Sequence, residues 1–476
     1  MTLEPLWRRP ATELAGMLRT GELSSRELLD AHLARIDEVN PSVNAIVTRT
    51  PELAVAAAER ADVAFVRGEL LGPLHGLPVA HKDLALTAGV RTTFGSPIHA
   101  DDVPDEDELF VERIREAGAL MVGKTNTPEF GAGSHTFNPV FGITRNPYDL
   151  ARSAGGSSGG AAAALATGMI ALADGSDLGG SLRNPAAFCN VVGFRPTPGR
   201  VPSWPSTDPR QDLSVDGPMG RTVGDVALLL SVMADPDPRV PISIDEAGDV
   251  FREEPLDVDL AGLRVAFAPE AGGEMPIDPE VVRIVGAHAA TFEALGWHVD
   301  EAFPDLDGAR DAFFTLRAQM YARELGELLA TDRHRIKDTV VWNIELGLAL
   351  NDDDVRRARI ALRRVREKAA AFFERFDLLA MPVTQVSPFP VEIEYPTEIG
   401  GVGMTTYLDW MESCWAISVT RLPAISMPGG FTDGGLPVGI QLVGPPSDDL
   451  AVLRAARAFE RATRLWQRGP SEPRAQ

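Results

Sequence analysis

The stretch from Ser153 to Gly180 reads SAGGSSGGAAAALATGMIALADGSDLGG, and Ser181 follows it directly. A flexible linker would be Gly and Ser throughout. Here the glycines run straight into AAAALATGMIA, a helix of small side chains, which are useful only where another element comes very close. The run therefore belongs inside a core. The Walker phosphate pattern requires Lys and then Ser or Thr after the glycines, yet Ala161 and Ala162 stand there, and the G-x-G-x-x-G dinucleotide spacing also fails. Gly155-Gly156-Ser157-Ser158-Gly159 does fit the G-x-S-x-G form of a nucleophile elbow, which would need a later acid and a histidine. His288 falls in helical VVRIVGAHAATF, His298 in strand-like LGWHVDEA and His334 in charged DRHRIK, so none has the loop setting of a triad histidine. That leaves the elbow as the weaker reading.

Lys82, in the apolar run LHGLPVAHKDLAL, is one of only four lysines; the other cationic positions are arginine. A position needing only charge is satisfied by Arg, which keeps its proton, whereas a desolvated Lys is neutral near pH 7 and acts as a base. Lys82 is thus a candidate proton acceptor. His81 beside it on the strand points to the opposite face.

A net charge of −23 and a pI near 4.8 argue against nucleic acid or an anionic membrane as partner. The basic run RRARIALRRVR, 356–366, has its apolar residues at helical spacing and reads as a solvated helix face. The N-terminal MTLEPLWRRPATEL lacks the apolar core of a signal peptide, no run is long enough for a membrane span, and the expected location is the cytoplasm. Cys189 and Cys414 lack the number and spacing for a disulfide framework or a zinc site and read as reduced, buried thiols. No metal or cofactor motif is present, and none is expected.

Along the chain, Ser24-Ser25-Arg26-Glu27 has the form of a capping box opening the second of three N-terminal helices, which together occupy about 1–68. LPVAHKDLAL reads as a buried strand. LFVERIREAGA then passes through Gly118 into the strand LMVGKTN, and the rhythm recurs from LRVAFAPE through VVRIVGAHAATFEALGWHVDEAF. Residues 235–259, rich in Pro, Asp and Glu, read as a surface excursion. Helices dominate a variable segment at about 309–376, FDLLAMPVT is a strand, and 400–415 reads as an aromatic, mobile stretch. LPAISMPGGF and GLPVGIQLVGP read as two strands before a final helix. The class is α/β, with helices covering the sheet.

Taken together, GELSSRELLDAHLARIDEVNPSVNA, GPLHGLPVAHKDL, VGKTNTPEFG, NPYDLARSAGGSSGG, GSDLGGSLRNPAAFCNVVGFRPTPGRVP, DGPMGRTVGD and GLPVGIQLVGPP resemble the amidase signature enzymes. The resemblance covers nearly the whole chain and is weakest between about 236 and 376. It implies a single domain over 1–476, a large mixed β-sheet covered by helices on both faces, and a cofactor-free amidohydrolase. The matching catalytic positions are Lys82, Ser157 and Ser181, with a cis peptide at Gly156–Ser157. In the implied chemistry Lys82 takes a proton from Ser157 while Ser157 takes one from Ser181, which attacks the carbonyl. Backbone N–H groups of Leu178, Gly179, Gly180 and Ser181 would hold the oxyanion.

The resemblance also places Gly131, Ala132, Gly133, Ser134 and Phe188 beside the acyl pocket, with Tyr407, Trp410, Met411 and Trp415 as candidate wall residues. Ser158, Asp177 and Arg183 match polar positions near the site, and Asn126 with Thr125 would brace the glycine loop. Core packing explains the aromatic spacing equally well, and a structural role explains the polar positions equally well. Leu178, Asn190 and His81 depart from the family's usual residues. The expected partner is a small-molecule amide, with esters and carbamates as further candidates; a homodimer is common in the family. The alternative reading is the glutamine-hydrolysing subunit of a tRNA-dependent amidotransferase complex.

Overall fold

The computed structural model describes residues 5–471. Its centre is an eleven-stranded mixed sheet. One half runs, in spatial order, Ile46–Arg49, Leu120–Thr125, Pro78–Lys82, Leu172–Asp177, Val215–Gly220 and Val192–Arg195. The other half continues with Ala424–Phe431, Pro437–Val443, Leu378–Pro382, Arg264–Phe267 and His298–Glu301. Pro78–Lys82 pairs in parallel with both of its neighbours, and so does Arg264–Phe267.

Period-two alternation divides the core. Val79 and Leu172 belong to one apolar cluster, packed with Leu14, Phe110, Val226 and Phe459, whereas Ala80 and Ala173 belong to another with Leu29, Ile36, Val122 and the alanines 161–164. Helices therefore cover both faces of the same strands, as buried parallel strands require. By the same alternation Lys82 shares the face of Ala80, that of the helix Gly159–Ala166. This helix needs its small residues: a Cβ on Gly160 would stand 2.3 Å from Asn126 N and 2.7 Å from Ala45 O. The capping box is present, with Ser24 Oγ accepting from Glu27 N–H at 3.1 Å and Glu27 Oε2 accepting from Ser24 N–H at 3.0 Å.

Three local expectations change. The helix of small residues expected across AAAALATGMIA is Gly159–Ala166, and it stops short of the strand Leu172–Asp177. The helix expected across VVRIVGAHAATF is two helices, Pro279–Gly286 and Ala289–Ala294, broken at His288, whose Nε2 lies 2.7 Å from Gly429 O. The stretch 400–415, expected to be mobile, is packed down from Tyr407 onwards. Asp409 accepts from Thr405 and Thr406 N–H at 2.7 Å each, Trp415 Nε1 donates to Leu408 O at 2.9 Å, and Tyr407, Trp410, Met411 and Trp415 are buried. Both cysteines are buried thiols. Among the described residues no helix is long and apolar enough to cross a membrane.

Candidate active site

Lys82 ends its strand 1% exposed, opposite Thr125 of the neighbouring strand. Its backbone N–H donates to Asp174 Oδ1 at 3.0 Å, and the other oxygen of Asp174 holds His81 Nδ1 at 2.6 Å. Nζ donates to Ser157 Oγ at 2.7 Å and to Ser176 Oγ at 3.0 Å. Burial lowers its pKa to about 7, against the charges of Asp216, Asp177 and Asp174, which raise it. An amine in this state exchanges its proton at neutral pH.

Ser157 follows a cis peptide at Gly156 and precedes the helix Gly159–Ala166. The loop before it is tied at three points. Ser134 Oγ donates to Gly156 O, Thr136 Oγ1 donates to Gly155 O at 2.8 Å, and Gly155 N–H donates to Ser153 Oγ at 3.0 Å. A Cβ on Gly131 would press on Leu84 Cδ1 at 3.0 Å and touch Ser157 Oγ at 3.6 Å, so this glycine borders the hydroxyl. Asn126 braces the same region, its side chain donating to Thr144 Oγ1 at 3.0 Å and its carbonyl accepting from Gly160 N–H at 3.2 Å. Thr125 lies beside it on the strand, buried. Ser158 N–H donates to Ser181 O at 3.1 Å, which joins the two serine segments.

The turn after Leu172–Asp177 is organised by Asp177. One of its oxygens accepts from Gly180 N–H and Arg183 Nη2, each at 2.9 Å, and the other accepts from Arg183 Nε at 3.0 Å and Leu182 N–H at 3.2 Å. Burial alone would raise this carboxyl, but the guanidinium of Arg183, followed by that of Arg195, outweighs it and holds Asp177 far below the usual carboxylate range. Of the four N–H groups expected to face an oxyanion, that of Gly180 is therefore engaged by Asp177. Those of Leu178, Gly179 and Ser181 have no acceptor among the described residues. Gly180 has φ +113°, and a Cβ there would meet Cys414 Cβ at 2.5 Å, so no other residue fits.

A cavity of about 460 Å³ opens over Ser157, Ser176 and Ser181. Gly131, Gly133, Leu178, Gly179 and Met411 line it. Ala132, Ser134, Phe188, Trp410 and Trp415 lie behind the lining. Trp415 stacks on the lining residue Phe313 at 5.1 Å and so backs the wall, and Phe188 stacks on Trp410 at 6.1 Å within the same apolar cluster. Tyr407 is also behind the lining, its Oη accepting from Asn343 Nδ2 at 2.7 Å.

Among the cavity residues not singled out by the sequence are Ser176, Asp216, Glu108 and Arg317. Ser176 holds Lys82. Asp216 accepts from Ser203 Oγ at 2.6 Å, and burial pushes its carboxyl up to about 6. Burial, then the charge of Asp216, pushes Glu108 well above its ordinary value. Arg317 comes from the helix Ala309–Leu325. The available signals were weak: Ser176 lies within GSDLGGS and Asp216 opens DGPMGRTVGD, but neither motif names a partner.

Ser157 meets a lysine here and not a histidine. His288 bonds to Gly429 O, His298 is on the outermost strand and His334 is in the short turn Arg333–Arg335, so the elbow reading finds no triad. No group of three or more His, Cys, Asp or Glu side chains is arranged for a metal among the described residues.

Known proteins place this architecture. The chain is 38% identical over 471 residues to an acylamidase of Rhodococcus erythropolis, covering 98% of each. It is 37% identical to a glutamyl-tRNA(Gln) amidotransferase subunit from a Synechococcus strain, covering 95% of this chain and 96% of that one. Its structure superposes on that of a bacterial aryl acylamidase of the amidase signature family with a TM-score of 0.92 at 28% identity, covering 99% and 100% of the two chains. The sequence pattern of the Amidase family matches residues 27–453, and with the fold and the near full-length relatives it establishes that this chain belongs to the amidase family of carbon–nitrogen hydrolases.

Proposed function

We propose that the chain hydrolyses acyl amides through Lys82, Ser157 and Ser181. The observation that carries this reading is the buried Lys82 Nζ, 2.7 Å from the Oγ of Ser157, which lines the same cavity as Ser181. Neutral Lys82 takes the Ser157 hydroxyl proton as Ser157 Oγ takes that of Ser181, and Ser181 Oγ bonds to the substrate carbonyl carbon. The carbonyl oxygen gains negative charge against the N–H groups of Leu178, Gly179 and Ser181. Lys82 then returns its proton through Ser157 to the amide nitrogen, and the C–N bond breaks. Water, deprotonated along the same path, cleaves the Ser181 ester and restores the serine.

An acyl or aryl amide suits the wall, where Leu84, Phe94, Phe130, Phe313 and Met411 supply apolar surface. The name of the Rhodococcus relative supports the same choice. The name of the Synechococcus relative supports a second reading, glutamine hydrolysis within a larger complex. Labelling with a serine-reactive phosphonate followed by peptide mapping tests the first reading: modification at Ser181 is expected, and modification at Ser157 instead overturns it. Turnover of anilides alongside glutamine separates the two substrates, since ammonia from glutamine with no anilide cleavage selects the second.

A further inference from the structure

Arg317 is 3% exposed on the wall of the cavity that holds Ser181, and its hydrogen-bond partners are neutral. Its guanidinium donates to Asn343 Oδ1 and, at 3.1 Å, to Tyr321 Oη. It lies over the Tyr321 ring at 4.3 Å and within 5.5 Å of that of Tyr407. No carboxylate of the described residues forms an ion pair with it. Glu324 on the same wall faces Arg323 at 3.4 Å. Glu108 and Asp216 enter from other elements, and Asp216 is opposite Ser176, at the Lys82 end of the cavity. A guanidinium has five N–H donors and is costly to bury without an anion, so this one is built to receive one.

The helix that carries Arg317 borders the oxyanion turn. Phe313, one turn before Arg317, abuts the oxyanion turn: a Cβ on Gly179 would stand 3.0 Å from its ring. Four residues of helix advance about 6 Å. We propose that Arg317 is a specificity residue that binds a carboxylate at the end of the substrate remote from the amide, one helical turn along from the Phe313 that borders the oxyanion turn. The inference rests on the amidohydrolase reading and narrows its substrates to amides with an anionic far end.

Two matched pairs test it: 4-carboxybutanoyl against pentanoyl p-nitroanilide, and p-acetamidobenzoate against p-acetamidotoluene, which put the charge on the acyl and the amine side respectively. The wild type should prefer the charged member of at least one pair. Arg317→Met should lower kcat/KM for that member at least about 30-fold more than for its neutral partner, mainly through KM, with Arg317→Lys intermediate; a buried charge-assisted contact has this weight. Equal losses on both members, or no wild-type preference in either pair, overturn the proposal and leave Arg317 as a brace for Asn343 and the tyrosines. Calorimetric titration with glutarate does not depend on turnover: binding by the wild type that Arg317→Met loses supports the anion site, and equal or absent binding refutes it, even where no amide is cleaved and the amidohydrolase reading falls. Melting curves verify that each variant is folded.

Discussion

Lys82 donates to Ser176 Oγ at 3.0 Å while it lies 2.7 Å from Ser157 Oγ. With one N–H held by Ser176, a neutral amine turns its lone pair to Ser157. Ser176→Ala should therefore lower kcat about 10-fold with KM changed less than about 3-fold, since general-base contributions reach 100-fold or more and only orientation is lost here. Unchanged kcat would make Ser176 a bystander.

The pH dependence follows from the Lys82 pKa of about 7. Activity should rise through that pH to an alkaline plateau as the amine becomes neutral. Lys82→Arg should lose at least about 1,000-fold at every pH, because a guanidinium keeps its proton. A pH profile flat between 5 and 9 would remove Lys82 from the proton path.

Stability carries the same signature. The folded pKa of about 7 lies below the ordinary 10.5, so between these values the unfolded chain binds the extra proton and stability rises with pH. The contribution is complete above 10.5 and is lost as pH falls through 7. Lys82→Met, which has no proton to bind, should thus gain more in Tm relative to the wild type at pH 6 than at pH 9.5. A difference independent of pH would contradict the depressed pKa.

Asp177 joins two buried guanidinium groups to the turn. Asp177→Ala would leave Arg183 and Arg195 uncompensated, and chemical denaturation should register a loss of about 3–5 kcal/mol. Activity should fall even below the melting temperature, since Gly180 N–H and Leu182 N–H lose their acceptor.

Two glycines make a paired test. Gly160→Ala drives a Cβ against backbone and should destabilise by at least about 2 kcal/mol. Gly16, within the helix Ala11–Thr20, has nothing within 4 Å of the same atom, and Gly16→Ala should stabilise by about 0.5–1 kcal/mol. Similar effects at both positions would contradict the close packing.

Features set by neighbours in sequence were legible: the Ser24 and Glu27 cap, the strand under Lys82, and the small helix after Ser157. Asn190, one of the departures from the family's usual residues, has φ +55°, a conformation Asn tolerates. What arrives from distant elements was not legible. Arg317 reaches the cavity on a helix in the weakest-matching segment, and Asp216 gains its raised pKa from burial that no motif records. Nor does spacing distinguish a ring that lines a wall from one that backs it, as Trp415 shows. The engagement of Gly180 N–H by Asp177 is a matter of backbone direction in the turn, which residue spacing does not encode.

The helix Ala309–Leu325 stands over residues that the sheet and its turns present from below. Floor and roof are thus encoded far apart in the gene. A mutant library confined to 316–325, beyond the Phe313 that presses on Gly179, would vary what the protein accepts while leaving untouched the codons for the chemistry, and this is the region where redesign should begin.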